Sequence, residues 1–155
     1  MTDVYIGLGT NLGDRERNLS TALSKIREDR GMRIKVVSGV LETEPVDYTD
    51  QPFFLNQMVM VETAYEPEKL LALLKNIEQD MGRKESVPKG PRIIDLDIIL
   101  YGSLVMKTGS LTIPHGEMLR RVFVMDQLLE LDPGLVDPVT QKKISEVRYG
   151  TEKHK

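Results

Sequence analysis

The chain has 155 residues and a formal net charge of −3, which fits one domain and argues against a general nucleic-acid binder. It contains no cysteine, which excludes disulfide scaffolds, zinc ribbons, iron–sulfur clusters and thiol nucleophiles. No apolar run approaches the roughly 20 residues of a membrane span, and the amino terminus does not resemble a signal peptide. We therefore expect a soluble cytoplasmic protein, and its size favours a monomer.

Hydrophobic periodicity predicts the elements in chain order. Alternating β-rich segments predict four strands, over residues 4–11, 33–43, 53–63 and 92–102. Helical spacing predicts one helix after an N-cap at Asp14, ended by Gly31, and a second from Pro67 to Gly82. Beyond the fourth strand we expect a hairpin-like piece at 111–113, a helix near 122–131, a small element after Pro138 and a frayed tail over 148–155.

The order β-α-β-β-α-β predicts the α+β class with a ferredoxin-like core. In that arrangement an antiparallel sheet carries both helices on one face, and a single domain covers residues 1–155. Many functions share this architecture, so the fold alone does not identify the chemistry.

The fourth predicted strand carries two carboxylates in an apolar run. Asp95 and Asp97 are two residues apart, so in a strand their side chains point to the same face. Burying two like charges together is costly unless one takes a proton, a basic side chain covers them, or a divalent cation bridges them. Oxygen-only ligands favour Mg²⁺ or Mn²⁺, and Mg²⁺ is typically held by one or two carboxylates and substrate phosphates. The pair therefore suggests a metal–nucleotide site.

Simpler interpretations of the same residues stay open. The two aspartates could lie at an exposed strand end, paired with lysine or arginine. Basic residues in the neighbouring segments are candidate phosphate partners, although each could also be an ordinary surface residue. These residues are Arg83, Lys84, Lys89, Arg92, Arg120 and Arg121. His115 could donate to a phosphate oxygen or be an ordinary loop residue.

A flat heterocycle is suggested by the third predicted strand. Phe54 and Asn56 share one face, where an aromatic ring can stack and an amide can read a ring edge. Alternatively, Phe54 belongs to the core and Asn56 caps a bulge. The glycines of residues 7–13 do not match a dinucleotide fingerprint, no P-loop is present, and we interpret them as permitting a tight turn.

Five segments together resemble 6-hydroxymethyl-7,8-dihydropterin pyrophosphokinase of folate biosynthesis. They are GTNLGDR, TEPVDYTDQPFFLNQ, IEQDMGR, GPRIIDLDIILYG and LTIPH, in that order. The resemblance extends from the first strand to about Pro138, and GPR-x-x-DLD is a specific motif.

The resemblance implies an ATP-dependent diphosphotransferase. Such enzymes transfer the β,γ-pyrophosphoryl unit of ATP to a primary hydroxyl of a reduced pterin, release AMP and use two Mg²⁺ ions. The implied metal ligands are Asp95 and Asp97, and the implied catalytic residues are Arg83, Arg92, Asp95 and Asp97. The implied pterin-binding residues are Thr43, Pro45, Val46, Phe54, Asn56 and Phe123. The implied ATP-binding residues are Glu78, Arg83, Lys84, Arg92, Ile98, Thr112, His115 and Arg121, and two mobile loops are implied at 47–51 and 83–90.

The chain departs from some members of this family at four positions, which are Lys75, Lys89, Ser110 and Gly116. Two other functions are compatible with the same residues. A two-metal nucleotidyl transferase or cyclase would release pyrophosphate rather than AMP. A non-catalytic ligand-binding domain of the same fold would bind without metal and would leave the aspartate pair unexplained.

Overall fold

The computed structural model describes residues 1–45, 48–83 and 89–153. Seven strands occur in this part of the chain: β1 (Thr2–Thr10), β2 (Met32–Val37), β3 (Leu41–Thr43), β4 (Phe54–Thr63), β5 (Asp95–Tyr101), β6 (Met106–Lys107) and β7 (Thr112–Ile113). The helices are α1 (Arg15–Glu28), α2 (Pro67–Asp80), α3 (Val122–Leu131) and α4 (Ile144–Lys153), with a 3-10 turn at Met118–Arg120.

An antiparallel sheet forms the centre of the molecule, and its order is β2-β4-β1-β5. β3 also pairs with β4, while β6 and β7 form a separate two-stranded sheet. β1 therefore has β4 and β5 as its two neighbours, although β4 ends at Thr63 and β5 begins only at Asp95. This order brings the third and fourth predicted strands to the same region of the sheet.

Helices cover both faces of the sheet. The apolar side chains of α1 and α2, with Leu19 and Leu74 among them, pack on the face that carries Leu96 and Ile98. On the opposite face α3 and α4 pack through Leu128 and Ile144 against Met58 and Ile99. The predicted α+β class, with its βαββαβ core and both early helices on one face, is confirmed. The carboxyl-terminal helices cover only part of the second face.

Several predicted boundaries were wrong. The segment 33–43 is not one strand, because the backbone around Ser38 leaves the ladder and its hydroxyl accepts the Met58 N–H at 2.8 Å. β5 begins at Asp95 rather than Arg92, since the Arg92 N–H is bound by the Asn11 side chain at 2.9 Å.

The helix ends follow local side chains. Asp14 caps α1 as predicted and accepts the Arg17 N–H at 3.1 Å. α1 ends at Glu28, three residues before Gly31, because the following Asp29 accepts the Gly31 N–H and closes a turn. α4 continues to Lys153, into the segment for which a frayed tail was predicted, and residues 154–155 lie outside the described ranges. In the described part of the chain, no helix has the length and apolar character needed to span a membrane.

Candidate active site

Three adjacent strands build the floor of a cavity on the face that α3 and α4 leave partly open. β4 contributes Asn56, which pairs with Gly9 of β1, and Gly9 in turn pairs with Asp95 of β5. Two residues before Gly9 in β1, Gly7 pairs with Asp97. Because neighbouring strands lie about 4.8 Å apart, the amide of β4 and the carboxylates of β5 face each other across roughly 10 Å.

Gly7 and Gly9 have no side chains, so at these positions the backbone of β1 lines the cavity without filling it. A Cβ on Gly9 would lie 3.4 Å from the Asn56 side chain and 3.8 Å from the Phe54 ring. Neither Gly7 nor Gly9 lies in a turn, so the interpretation of this segment was wrong for both. Of the three glycines in residues 7–13, Gly13 alone, with φ +75°, takes the left-handed conformation of a turn glycine.

The two aspartates have different surroundings. Asp95 accepts from Arg83 at 3.0 Å and from Arg92 at 3.1 Å, so basic side chains cover one of its faces, as one simpler interpretation required. Within residues 1–45, 48–83 and 89–153, no arginine pairs with Asp97 in this way, and the His115 ring lies 4.0 Å from its carboxylate. Burial, followed by the neighbouring charge of Asp95, raises the pKa of Asp97 to about 7. In the absence of a bound cation, Asp97 therefore tends to take up a proton near neutral pH, which is one of the ways in which two neighbouring carboxylates can be accommodated.

Glu78, on α2, binds the backbone of β5. Its side chain is only 4% exposed and accepts the Leu96 backbone N–H at 2.7 Å, between the two aspartates. It also pairs with Arg83 at 2.9 Å and Lys75 at 3.3 Å. Glu78 therefore connects α2 to the strand that carries the aspartates, and it does not line the cavity.

Aromatic and amide groups occupy the other side of the floor. Phe54 and Phe123 both line the cavity, and the Arg92 guanidinium lies 5.0 Å from the centre of the Phe54 ring. The Asn56 amide donates to the Thr43 hydroxyl. Gln127, on α3 with Phe123, donates to the Asn56 carbonyl at 3.0 Å and so holds this helix against β4. A flat ring can be contacted here by both aromatic groups and an amide.

The segments that flank the cavity are joined by one buried side chain. Asn11 donates to Gln51 at 2.8 Å and to the Pro52 carbonyl at 3.0 Å, while its oxygen accepts the Arg92 N–H. Gln51 in turn donates to the Lys89 carbonyl at 2.8 Å. These bonds fix Arg92 relative to the aromatic side of the site.

A second cavity adjoins the first. The first has a volume of about 220 Å³, and the second, about 420 Å³, lies along β5 toward α2 and β7. Asp97, His115 and Glu117 line both, so they mark the place where the two cavities meet. The second cavity is also lined by Leu71, Lys75, Ile98, Ser110, Leu111 and Thr112.

His115 is held at this meeting point by the backbone, since its N–H donates to the Ile99 carbonyl at 3.0 Å. Burial of the ring lowers the pKa of His115 below its usual value of 6.5. The imidazole is therefore mostly neutral at pH 7, and a neutral imidazole carries one N–H donor and one acceptor nitrogen.

Most of the residues singled out in the sequence lie together in these two cavities. The first contains Thr43, Phe54, Asn56, Arg92, Asp95, Asp97, His115, Arg121 and Phe123, and the second contains Asp97, Ile98, Thr112 and His115. Arg83 reaches the site through Asp95, whereas Pro45 and Glu78 line neither cavity. Val46, Asp47 and residues 84–88, with Lys84, lie outside the described ranges, so the two loops implied at 47–51 and 83–90 are only partly described.

The site is also lined by Gly7, Gly9 and Glu117, to which the sequence patterns did not assign a role in it. The alternation of β1 puts the two glycines on one face, and this signal could have identified them. Glu117 gave no comparable signal, because its place depends on how the segment after β7 folds back.

The sequence model of the family described as 7,8-dihydro-6-hydroxymethylpterin-pyrophosphokinase matches residues 5–133. This range contains every side chain of both cavities. The chain belongs to this pyrophosphokinase family. The resemblance stated from the sequence motifs is thereby confirmed.

Pyrophosphokinase relatives differ widely in length. A 2-amino-4-hydroxy-6-hydroxymethyldihydropteridine pyrophosphokinase of Aquifex aeolicus is 36% identical over 148 residues, which cover 96% of this chain and 91% of that protein. One of Bacillus subtilis is 41% identical over 127 residues, 82% of this chain and 76% of that protein. The folic acid synthesis protein fol1 of Schizosaccharomyces pombe is 45% identical over 142 residues, 92% of this chain, yet the match spans only 19% of its length.

Solved structures show the same fold. The crystal structure of an HPPK-DHPS in complex with substrates superposes with a TM-score of 0.75 at 14% identity. The match covers 99% of this chain and 44% of that one. At this identity the likeness supports the fold of the pyrophosphokinase domain alone.

Proposed function

We propose that the chain transfers the terminal diphosphate of ATP to the hydroxymethyl group of 6-hydroxymethyl-7,8-dihydropterin and releases AMP, as a step in folate biosynthesis. Membership of the pyrophosphokinase family supports this function. The structural observation that carries it is the three-strand floor, on which the aromatic and amide groups of a ring site face the Asp95–Asp97 pair. The alternatives of a nucleotidyl transferase and a non-catalytic ligand-binding domain are not favoured by the family assignment.

The pterin ring would lie between Phe54 and Phe123, with Asn56 and Thr43 at its edge. Ring faces and an edge amide together determine both the plane and the orientation of a flat heterocycle. The ring's hydroxymethyl group would then point across Gly9 toward the carboxylates. Pro45 and Val46 are assigned to the same pocket by the family resemblance alone.

ATP would enter through the second cavity, with its base and sugar near Ile98 and Thr112. Its phosphates would cross the place where the cavities meet and so pass His115, which can donate its ring N–H to a phosphate oxygen. Arg83, Arg92 and Arg121 would neutralise charge on the transferred group, and Lys84 is assigned to ATP by the family resemblance. Glu78 would act indirectly, by holding Arg83 and β5.

The aspartate pair fits a magnesium site. The pKa of Asp97 is raised by burial and by the charge of Asp95, and two carboxylates supplemented by substrate phosphates are a common ligand set for Mg²⁺. Among the described residues no group of three or more His, Cys, Asp or Glu forms a metal cluster, so the remaining ligands would come from substrate and water. We propose that Asp95 and Asp97 hold two Mg²⁺ ions, which would clamp the phosphates and lower the pKa of the attacking hydroxyl.

The protein side chains would then position the reactants in line and keep water away from the transferring group. Positioning and charge neutralisation supply most of the rate enhancement in phosphoryl transfer. We further propose that the protein works in the cytoplasm, where ATP is supplied. We also propose that it is a monomer. Light scattering of the purified chain would test the oligomeric state.

An assay that resolves the nucleotide products tests this function. The purified protein is incubated with ATP, Mg²⁺ and 6-hydroxymethyl-7,8-dihydropterin, and AMP, ADP and pyrophosphate are quantified. We expect AMP to form only when both pterin and metal are present. ADP would indicate transfer of a single phosphate, free pyrophosphate would indicate a nucleotidyl transferase, and no turnover would favour a binding domain.

A further inference from the structure

One carboxylate in the site is bound by two cations from different segments. The Glu117 Oε1 oxygen accepts from the Lys89 ammonium group at 2.5 Å and from Arg121 at 2.8 Å. Lys89 lies 28 residues before Glu117, whereas Arg121 follows it by one helical turn. The Glu117 side chain is 52% exposed, so packing alone does not hold it in this position.

The position of Glu117 is set by the backbone around it. The Leu119 N–H donates to the His115 carbonyl at 3.0 Å, and the Arg120 N–H donates to the Glu117 carbonyl at 3.3 Å. This turn directs Glu117 to the place where the two cavities meet. The hydrogen bond from Lys89, more than any other contact, lowers the pKa of Glu117 below its usual value, so the group is ionised at neutral pH.

The Glu117 oxygen lies between an ammonium and a guanidinium group, and such a pair of cations can also bind a phosphate oxygen. The proposed path of the ATP phosphates crosses the same place. Glu117 and a phosphate group cannot both use the same donors of Lys89 and Arg121, and their like charges repel at this range. The geometry therefore implies that a nucleotide phosphate replaces the Glu117 carboxylate as the partner of Lys89 and Arg121.

We propose that Glu117 is an internal counter-anion, which pairs with Lys89 and Arg121 in the ligand-free protein and is displaced from them by the phosphates of the nucleotide. This inference rests on the proposed binding of ATP at this site. Glu117 holds the two cations close together before ATP binds, and its ion pairs with them form again when product leaves. It thus lowers the affinity for polyphosphates and speeds their release.

The substitution Glu117→Gln tests this role, because it keeps the shape of the side chain and removes the charge. Exposed ion pairs are individually weak, so we expect the Kd of MgATP and of inorganic tripolyphosphate to fall by only about threefold to tenfold. The Kd of the pterin should not change. We also expect KM for ATP and kcat to fall together, because product leaves more slowly, whereas a merely structural role would not tighten binding.

Glu68→Gln is the matched control, since Glu68 is exposed on α2 and the substitution changes the net charge equally. It should leave all three dissociation constants unchanged. Glu117→Ala is the second variant and should also tighten polyphosphate binding, with Tm confirming that both variants fold.

An unchanged or weaker affinity of folded Glu117→Gln and Glu117→Ala for MgATP and tripolyphosphate would overturn the proposal. Equal tightening in Glu68→Gln would also overturn it, since net charge would then be the cause. If the wild-type protein forms AMP while these results are negative, only the role of Glu117 fails. If the wild-type protein binds neither MgATP nor tripolyphosphate, the proposed function fails as well.

Discussion

Asp97 combines a cost to stability with its proposed role as a metal ligand. In the metal-free protein its pKa is raised from 3.8 to about 7, first by burial and second by Asp95. A raised pKa means that the folded state binds more protons than the unfolded state between these values. The contribution to stability is therefore present below about pH 4 and is lost as the pH rises toward 7.

We predict that Asp97→Asn raises the Tm of the metal-free protein at pH 7.5 and removes this part of its pH dependence. The shift should be several degrees, since each kcal/mol moves Tm by about 2–4 °C in a domain of this size. Differential scanning calorimetry between pH 4 and 8 measures it. A lower Tm for Asp97→Asn across this range would show that neighbouring groups stabilise the negative charge of Asp97 and that the charge does not destabilise the fold.

Phe123 is predicted to contribute mainly to pterin binding. Its ring lines the first cavity but not the second, so Phe123→Ala should raise the pterin Kd by about tenfold or more and leave the ATP Kd within twofold. Isothermal titration with each ligand separates the two effects. An unchanged pterin Kd would contradict the assignment of this ring to the pterin.

At the scale of elements, the contact between α2 and β5 determines where the aspartates lie. Glu78 is buried, and its removal leaves the Leu96 N–H and the Arg83 guanidinium without this acceptor. We predict that Glu78→Ala lowers the free energy of unfolding by about 3 kcal/mol, because breaking a buried ion pair typically costs that much.

Glu68→Ala on the same helix is the control and should change stability by no more than about 0.5 kcal/mol. Urea denaturation of both variants gives the comparison. Equal stability losses in the two variants would mean that the α2–β5 contact does not depend on Glu78.

For the whole molecule, the alternation of strands and the spacing of helices were enough to predict the βαββαβ order. The pairing of Asp95 with Asp97 on one face followed from the two-residue period alone. In the structure β1 lies between β4 and β5, as the split βαβ arrangement requires. That sheet order brings Gly7 and Gly9 between the amide and the carboxylates, so their part in the site became visible only in the fold.

Other features depended on contacts between distant segments. The break at Ser38 comes from its bonds to β4, and the late start of β5 comes from the bond between Asn11 and the Arg92 backbone. Local propensity contains no information about such partners. The position of Glu117 against Lys89 likewise required the folded chain.

The pterin product formed by the wild-type protein and by Asp97→Asn distinguishes diphosphate transfer at the aspartate pair from every other outcome. Each protein is incubated with ATP, Mg²⁺ and 6-hydroxymethyl-7,8-dihydropterin, and the pterin is analysed by phosphorus NMR and mass spectrometry. We expect a diphosphate on the hydroxymethyl oxygen for the wild-type protein, and a loss of several orders of magnitude in its rate of formation for folded Asp97→Asn. A pterin with one phosphate, an unmodified pterin, or an undiminished rate in Asp97→Asn would contradict it.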